Sequence, residues 1–211
     1  TINTDFAQVE VDEQQVNLDR FNLFFPEKRD FFLENSGIFQ FGGGIGGGGG
    51  GATAGRQNSS QELRLFFSRR IGLSDNGEAI PVLAGTRLSG RQGAYSMGIL
   101  SIQQREQGAV PSTNFTVLRV RRDILANSDI GAVLLNKEEL GPHYNRVAGV
   151  DANFRFGSFL TINGYTARTF SPGSAISGTG NEFVSRGNVN YQDRTWQAQG
   201  TSHRSERIMK R

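Results

Sequence analysis

Val150-Asp151-Ala152-Asn153-Phe154-Arg155-Phe156 alternates, residue by residue, between apolar and polar side chains. Successive side chains of an extended strand point to opposite faces. The stretch is therefore read as a strand with Val150, Ala152, Phe154 and Phe156 on one greasy face and Asp151, Asn153 and Arg155 on the other. The same period recurs on both sides of it. Phe183, Val189 and Tyr191 share a face opposite Arg186, Asn188 and Asn190. Trp196, Ala198 and Gly200 alternate with Thr195, Gln197 and Gln199, and upstream Ile80, Val82, Ala84 and Leu88 oppose Arg87, Ser89 and Arg91.

A soluble sandwich gives the same alternation, so two further features carry the fold. The wet faces hold Arg, Asn, Gln and Asp over runs of about 9–11 residues, which suits a tilted strand crossing a bilayer. Soluble strands run closer to about 5–6 residues. Strands are expected near 80–90, 94–105, 113–123, 129–136, 144–156, 158–169, 182–193 and 195–204. The connections then alternate: 91–93, 124–128, Gly157 and 193–194 are tight, while 106–112, 137–143 and 170–181 are longer and rich in Gly, Ser and Pro. Short turns on one rim and longer loops on the other are the outer-membrane pattern. The expected fold class is all-β: an antiparallel transmembrane β-barrel, or an incomplete part of a larger one.

Composition agrees. Hydrophobic residues make up 36% of the 211, yet there are 16 Phe, and disordered chains are poor in aromatics. In a barrel only every second strand residue must be apolar, which keeps mean hydropathy low. No apolar run approaches the roughly 18 residues of a membrane helix. The net charge of +3 is spread along the chain, without the clustering a nucleic-acid partner requires. There is no Cys, so disulfides and thiolate metal sites are excluded. Thr1 opens the chain without initiator Met or signal peptide, and 203–211 is a charged tail; both ends read as those of a piece of a longer, exported protein.

Two regions are expected. Residues 1–61 form an acidic, Phe-rich segment that tucks into the lumen or pairs with the first strands, and 62–211 supply the strands. Within the first, 42–55 is a Gly-rich loop.

The first third carries a resemblance. Asn3-Thr4-Asp5-Phe6-Ala7-Gln8-Val9-Glu10 is followed by Phe24-Phe25-Pro26-Glu27-Lys28-Arg29-Asp30-Phe31-Phe32-Leu33-Glu34. Leu65-Phe66-Phe67-Ser68-Arg69-Arg70-Ile71-Gly72 and Ile80-Pro81-Val82-Leu83-Ala84-Gly85-Thr86-Arg87-Leu88-Ser89-Gly90 come next. In this order the blocks resemble a bacterial family of unknown function whose members look like outer-membrane barrels. The family often carries an upstream module similar to family-9 carbohydrate-binding domains, absent from this sequence, and some members are labelled hydrolases. The resemblance covers residues 1 to about 135; beyond that only the strand pattern continues it. Family barrels have more strands than the eight or so expected here. The resemblance implies the bacterial outer membrane as location.

The candidate site residues fall into two sets. In 24–34, aromatics interleave with Glu27, Lys28, Arg29, Asp30 and Glu34. An enzymatic reading pairs Glu27 with Glu34 as acid and base. The favoured reading makes Glu27, Arg29, Asp30, Glu34 and Arg87 ion pairs that anchor the segment in the lumen or at its rim. The lipid-facing set is Val150, Phe154, Val189, Tyr191 and Trp196. Tyr95, Phe115, Tyr144, Phe159 and Phe170 join Tyr191 and Trp196 in expected aromatic girdles. Arg69-Arg70 and Arg121-Arg122 each place one Arg on either face, the inward one lining a pore that favours anions or pairing with a lumen charge, the outward one at a headgroup rim.

Other motifs fail their chemistry. Asp5, Glu10, Asp12 and Glu13 lack the spacing of an EF-hand loop, and the Gly tract lacks the Lys-Ser or Lys-Thr of a P-loop. His143 and His203 have no clustered third ligand, and Ser89 and Ser158 sit in no nucleophile elbow. No catalytic residue, metal or cofactor is assigned. The expected partner is outer-membrane lipid, with a small-molecule or carbohydrate ligand unidentified and no nucleic acid.

Three functions compete: a structural or transport-like membrane component, a carbohydrate-associated surface protein or hydrolase, and a soluble β-sandwich binding module. They separate on whether Val150, Phe154, Val189, Tyr191 and Trp196 form an outward belt or meet in a dry core.

Overall fold

The computed structural model describes residues 29–42, 68, 71–73, 80–108, 110–141, 143–172 and 182–207. The protein is all-β: one antiparallel sheet of eight strands, in which spatial order follows chain order. The strands are β1 (Val82–Gln92), β2 (Tyr95–Gln104), β3 (Thr113–Ile124), β4 (Ser128–Glu139), β5 (Tyr144–Phe156), β6 (Leu160–Phe170), β7 (Glu182–Gln192) and β8 (Gln197–Arg207). They run from 10 residues in β2 to 13 in β5, about twice the usual soluble length. Among the described residues β1 pairs only with β2 and β8 only with β7, so the sheet is open at both edges and not closed into a barrel.

The chain reverses where its residues permit a left-handed backbone. Gly93 (φ 58°) turns β1 into β2, and Gly157 (φ 58°) turns β5 into β6. Glycine adopts this conformation without a Cβ penalty. Leu125 (φ 57°) does so between β3 and β4 despite its side chain.

All eight expected strands are present, with two corrections. A bulge between Val82 and Ala84 shifts β1, so Val82 pairs with Gln104 while Ala84 pairs with Gln103. A bulge inserts one unpaired residue and exchanges faces beyond it. Ile80 and Val82 are therefore buried, away from the exposed side of Leu88 with which the alternation grouped them. The β4–β5 connection is also shorter than expected. Strand β4 continues to Glu139, leaving 140–143, no longer than the 193–196 turn. The short–long alternation of connections is thus weaker than the sequence suggests.

Register assigns every strand residue to one of two faces. One face is covered by residues 29–42, a short helical turn α1 (Asp30–Leu33) followed by a 3-10 turn (Ser36–Phe39). Beneath and around it lies the core: Phe32, Ile71, Val82, Leu100, Ile102, Val117, Val133 and Leu135 are buried, with Phe31, Phe39, Phe41, Phe115 and Val147 packed against them. Phe115 belongs to this packing and not to an outward girdle. Burying each such side chain contributes about 1.5–3 kcal/mol. The opposite face is bare among the described residues.

Candidate functional site

The covered face has sockets cut by glycine. Gly85 in β1, Gly98 in β2 and Gly149 in β5 lie under the rings of Phe31, Phe39 and Phe41, and a Cβ on them would stand 3.3, 2.8 and 2.7 Å from the ring Cζ atoms. Glycine inside a strand marks such a close approach. Residues 29–42 thereby cross the sheet from β1 to β6, where Phe41 meets Tyr165 at a ring separation of 5.5 Å. Its two helical turns have only four residues each, so many of the segment's carbonyls find no partner within it and need outside donors. Sheet arginines provide them: Arg87 donates to Phe31 O, and Arg121 to Gln40 O at 3.4 Å. Arg87 also stands 5.3 Å over Phe39.

At the far end of the segment sits a buried ion pair. Arg119 of β3 donates to both oxygens of Asp151 of β5 at 2.6 and 2.8 Å, and both side chains are shut off from solvent. The two are not register neighbours, because Arg119 pairs with Val133 and Asp151 with Gly131. The guanidinium reaches diagonally over Gly131, where a Cβ would lie 2.6 Å from Arg119 Nη1 and 2.7 Å from Asp151 Oδ1. Two parallel bonds to one carboxylate supply the geometry that makes a buried charge tolerable. Asp151 also accepts from Gly42 N at 3.1 Å, and Arg119 lies 5.6 Å from the Phe41 ring centroid. The pair thus clamps the end of the segment to the sheet.

Of the expected anchoring set, Arg29 is buried and donates to Ile71 O and Ser68 O, both at 2.7 Å. It tethers the segment's start to the approach to β1. Asp30 and Glu34 are exposed at the two ends of α1. Glu27 lies outside the described residues, as do Asp5, Glu10, Asp12, Glu13, Arg69, Arg70 and the Gly tract beyond Gly42. The sequence reading missed Arg119, Asp151 and Gly131 as a unit. Its signal was present in outline: glycines on the inward register of several strands, beside an inward Arg and Asp.

The bare face carries the other set. Val150 (52% exposed), Phe154, Val189 and Tyr191 all point to it, and Trp196 (73% exposed) lies in the turn before β8. These side chains do not meet in a dry core. Leu88, Ile99, Val120, Ile130 and Leu134 extend the same surface across β1 to β4, each more than one-third exposed. Charged groups on this face keep to the strand ends. There three guanidiniums lie over aromatic rings: Arg122 over Tyr95 (5.2 Å), Arg146 over Tyr144 (4.6 Å) and Arg168 over Phe170 (5.0 Å). Arg121 and Arg122 part to opposite faces as expected, Arg121 lying 3.6 Å from Asp129 on the covered side.

A cavity of about 740 Å³ opens on the bare face, with Val120, Ile130, Ala132, Val150, Ala152 and Gly164 among its walls. Asp151 is the acid among its described lining residues, and that carboxylate is turned through the sheet to Arg119. Among the described residues, no second carboxylate of the kind glycoside hydrolysis uses joins it in that lining. Compared with known proteins, the chain matches no family model, and no curated protein or solved structure is significantly similar to it.

Proposed function

We propose that this sheet is part of a bacterial outer-membrane β-barrel, a structural or transport-like component with its bare face against lipid and residues 29–42 on the side of the lumen. The observation that carries the proposal is the bare face itself. Among the described residues, a contiguous apolar surface running from Leu88 in β1 to Val189 in β7 exceeds what a soluble protein leaves in water. Its borders also match a membrane. In β5 the outward residues at the two ends are Tyr144 and Phe156, the bounds of a 13-residue strand. At about 3.3 Å per residue and a tilt of about 40°, they stand about 30 Å apart along the normal, the thickness of a hydrocarbon core. Arginines over aromatic rings at such borders keep an apolar body in the interface and the charge at the headgroups.

The opposite face suits a lumen, and several of its polar residues bond to one another. Asn153 donates to Asp129 at 3.0 Å, and Thr201 to Asn188 at 2.9 Å. Open strand edges are intolerable in lipid, so in the membrane β1 and β8 must be paired, with further strands of a larger barrel or with the edge strands of further copies of this chain. No helix among the described residues is long and apolar enough to cross a membrane.

The test is refolding from denaturant with and without detergent micelles, followed by circular dichroism. Strand signal that requires micelles is the expected result. Stable strand structure in plain buffer overturns the membrane reading and brings the soluble binding module forward.

A further inference from the structure

We propose that the cavity on the bare face binds one anionic phospholipid, its phosphate on Arg122 and its acyl chains along Ala132, Ala152 and Gly164. The inference rests on the membrane reading above and deepens it from a general lipid contact to one specific site. Three observations point the same way.

The first is the cavity, a wide, open hollow of about 740 Å³ on the sheet surface with mainly apolar walls. It exists because of what the register lines up. Ala152 pairs with Ile130 on one side and Gly164 on the other, and Ala132 pairs with Val150, so the floor is set by short side chains between taller ones. Room of that shape accepts hydrocarbon chains lying on the sheet.

The second is the charge at its edge. Arg122 pairs with Tyr95 on one side and Ile130 on the other, lines the cavity, and holds its guanidinium over the Tyr95 ring. The acids nearest in register all serve the covered face. Asp123 binds Arg91, Asp129 accepts from Asn153, and Asp151 holds Arg119. The described residues thus give Arg122 an aromatic ring and no carboxylate. A planar, permanently charged fork beside an apolar surface suits a phosphate that arrives with its own hydrocarbon.

The third is position. Arg122 lies near the end of β3, next to the turn at 125–127, where a membrane strand meets the headgroups. Arg146 and Arg168 flank the opposite rim, but they line no such cavity, and Arg146 already donates to Asn136 at 3.0 Å. A phosphate in the headgroup layer and chains reaching inward over the cavity therefore fit one site and one orientation.

The experiment inserts the full chain, as wild type, Arg122→Gln, Arg122→Lys and Ala152→Leu, into phosphatidylcholine vesicles with and without phosphatidylglycerol. Protease protection first scores insertion. Native mass spectrometry from micelles then counts retained lipid of each kind. The expected result is equal insertion of all four proteins, with the wild type retaining one phosphatidylglycerol about tenfold over phosphatidylcholine, the scale of a charge-assisted hydrogen bond. Arg122→Gln and Ala152→Leu lose that preference, and Arg122→Lys keeps part of it. An inserted wild type without preference, or an inserted Arg122→Gln that keeps it, overturns the lipid site while leaving the barrel standing. A dimer sensitive to Ala152→Leu but not to Arg122→Gln overturns it in favour of a second copy. Failure of the wild type to insert at all removes the membrane reading and the site together.

Discussion

The Arg119–Asp151 pair is where single side chains decide most. It is wholly buried, so removing one partner leaves an uncompensated charge, whereas removing both leaves none. Asp151→Ala is expected to cost about 3–5 kcal/mol, and the double change Arg119→Met with Asp151→Leu far less. Chemical unfolding in micelles, followed by Trp196 fluorescence, reads the difference; equal losses would show that the pair does not act as a clamp. Gly131 makes a linked case. A methyl group there meets Arg119 Nη1 at 2.6 Å, so Gly131→Ala should cost about 1–3 kcal/mol. Most of that cost should vanish when Gly131→Ala is added to the Arg119→Met, Asp151→Leu double variant, because the atoms it strikes are gone.

At the scale of elements, the segment 29–42 depends on the sheet more than on its own helicity. Its one α-turn has four residues and no side-chain cap, too little to persist alone. What holds it is Phe31, Phe39 and Phe41 seated over glycines, and arginines that satisfy its carbonyls. Phe39→Ala combined with Phe41→Ala is expected to remove about 2–5 kcal/mol of packing, given that both rings are only half-buried. Amide exchange should then quicken across 29–42 while β3, β4 and β5 stay protected. Exchange that rises equally throughout would mean that segment and sheet form one cooperative unit. Gly149→Val is the reciprocal probe, filling the Phe41 socket from below and giving the same local loss.

For the whole molecule, the proposed membrane reading assigns the two faces different solvents. Val150→Arg, midway along β5 on the bare face, should cost about 2–4 kcal/mol and impair insertion into vesicles. Gln199→Arg, on the covered-face register of β8, should be tolerated, since its neighbours there are Asn190 and other polar groups. Equal tolerance of both in a folded protein would sink the membrane reading, because an exposed Val in water accepts Arg at little cost. The open edges of β1 and β8 belong to the same scale. Adding strands there should raise amide protection in both without altering β4 or β5, which are already paired on each side.

Alternation of side chains by itself determined that the chain is antiparallel β, where its eight strands run and which residues share a face, because side-chain direction in a strand depends on parity alone. It failed at Val82, where one bulge residue breaks parity and exchanges Ile80 and Val82 to the buried side. Only the tertiary structure decided what lies against the covered face. That Arg119 meets Asp151, and that Gly85, Gly98 and Gly149 receive three rings, depends on register across several strands and on a segment remote in sequence. Local pattern specifies the direction of a side chain, whereas its partner is set by the summed registers of all the strands between them.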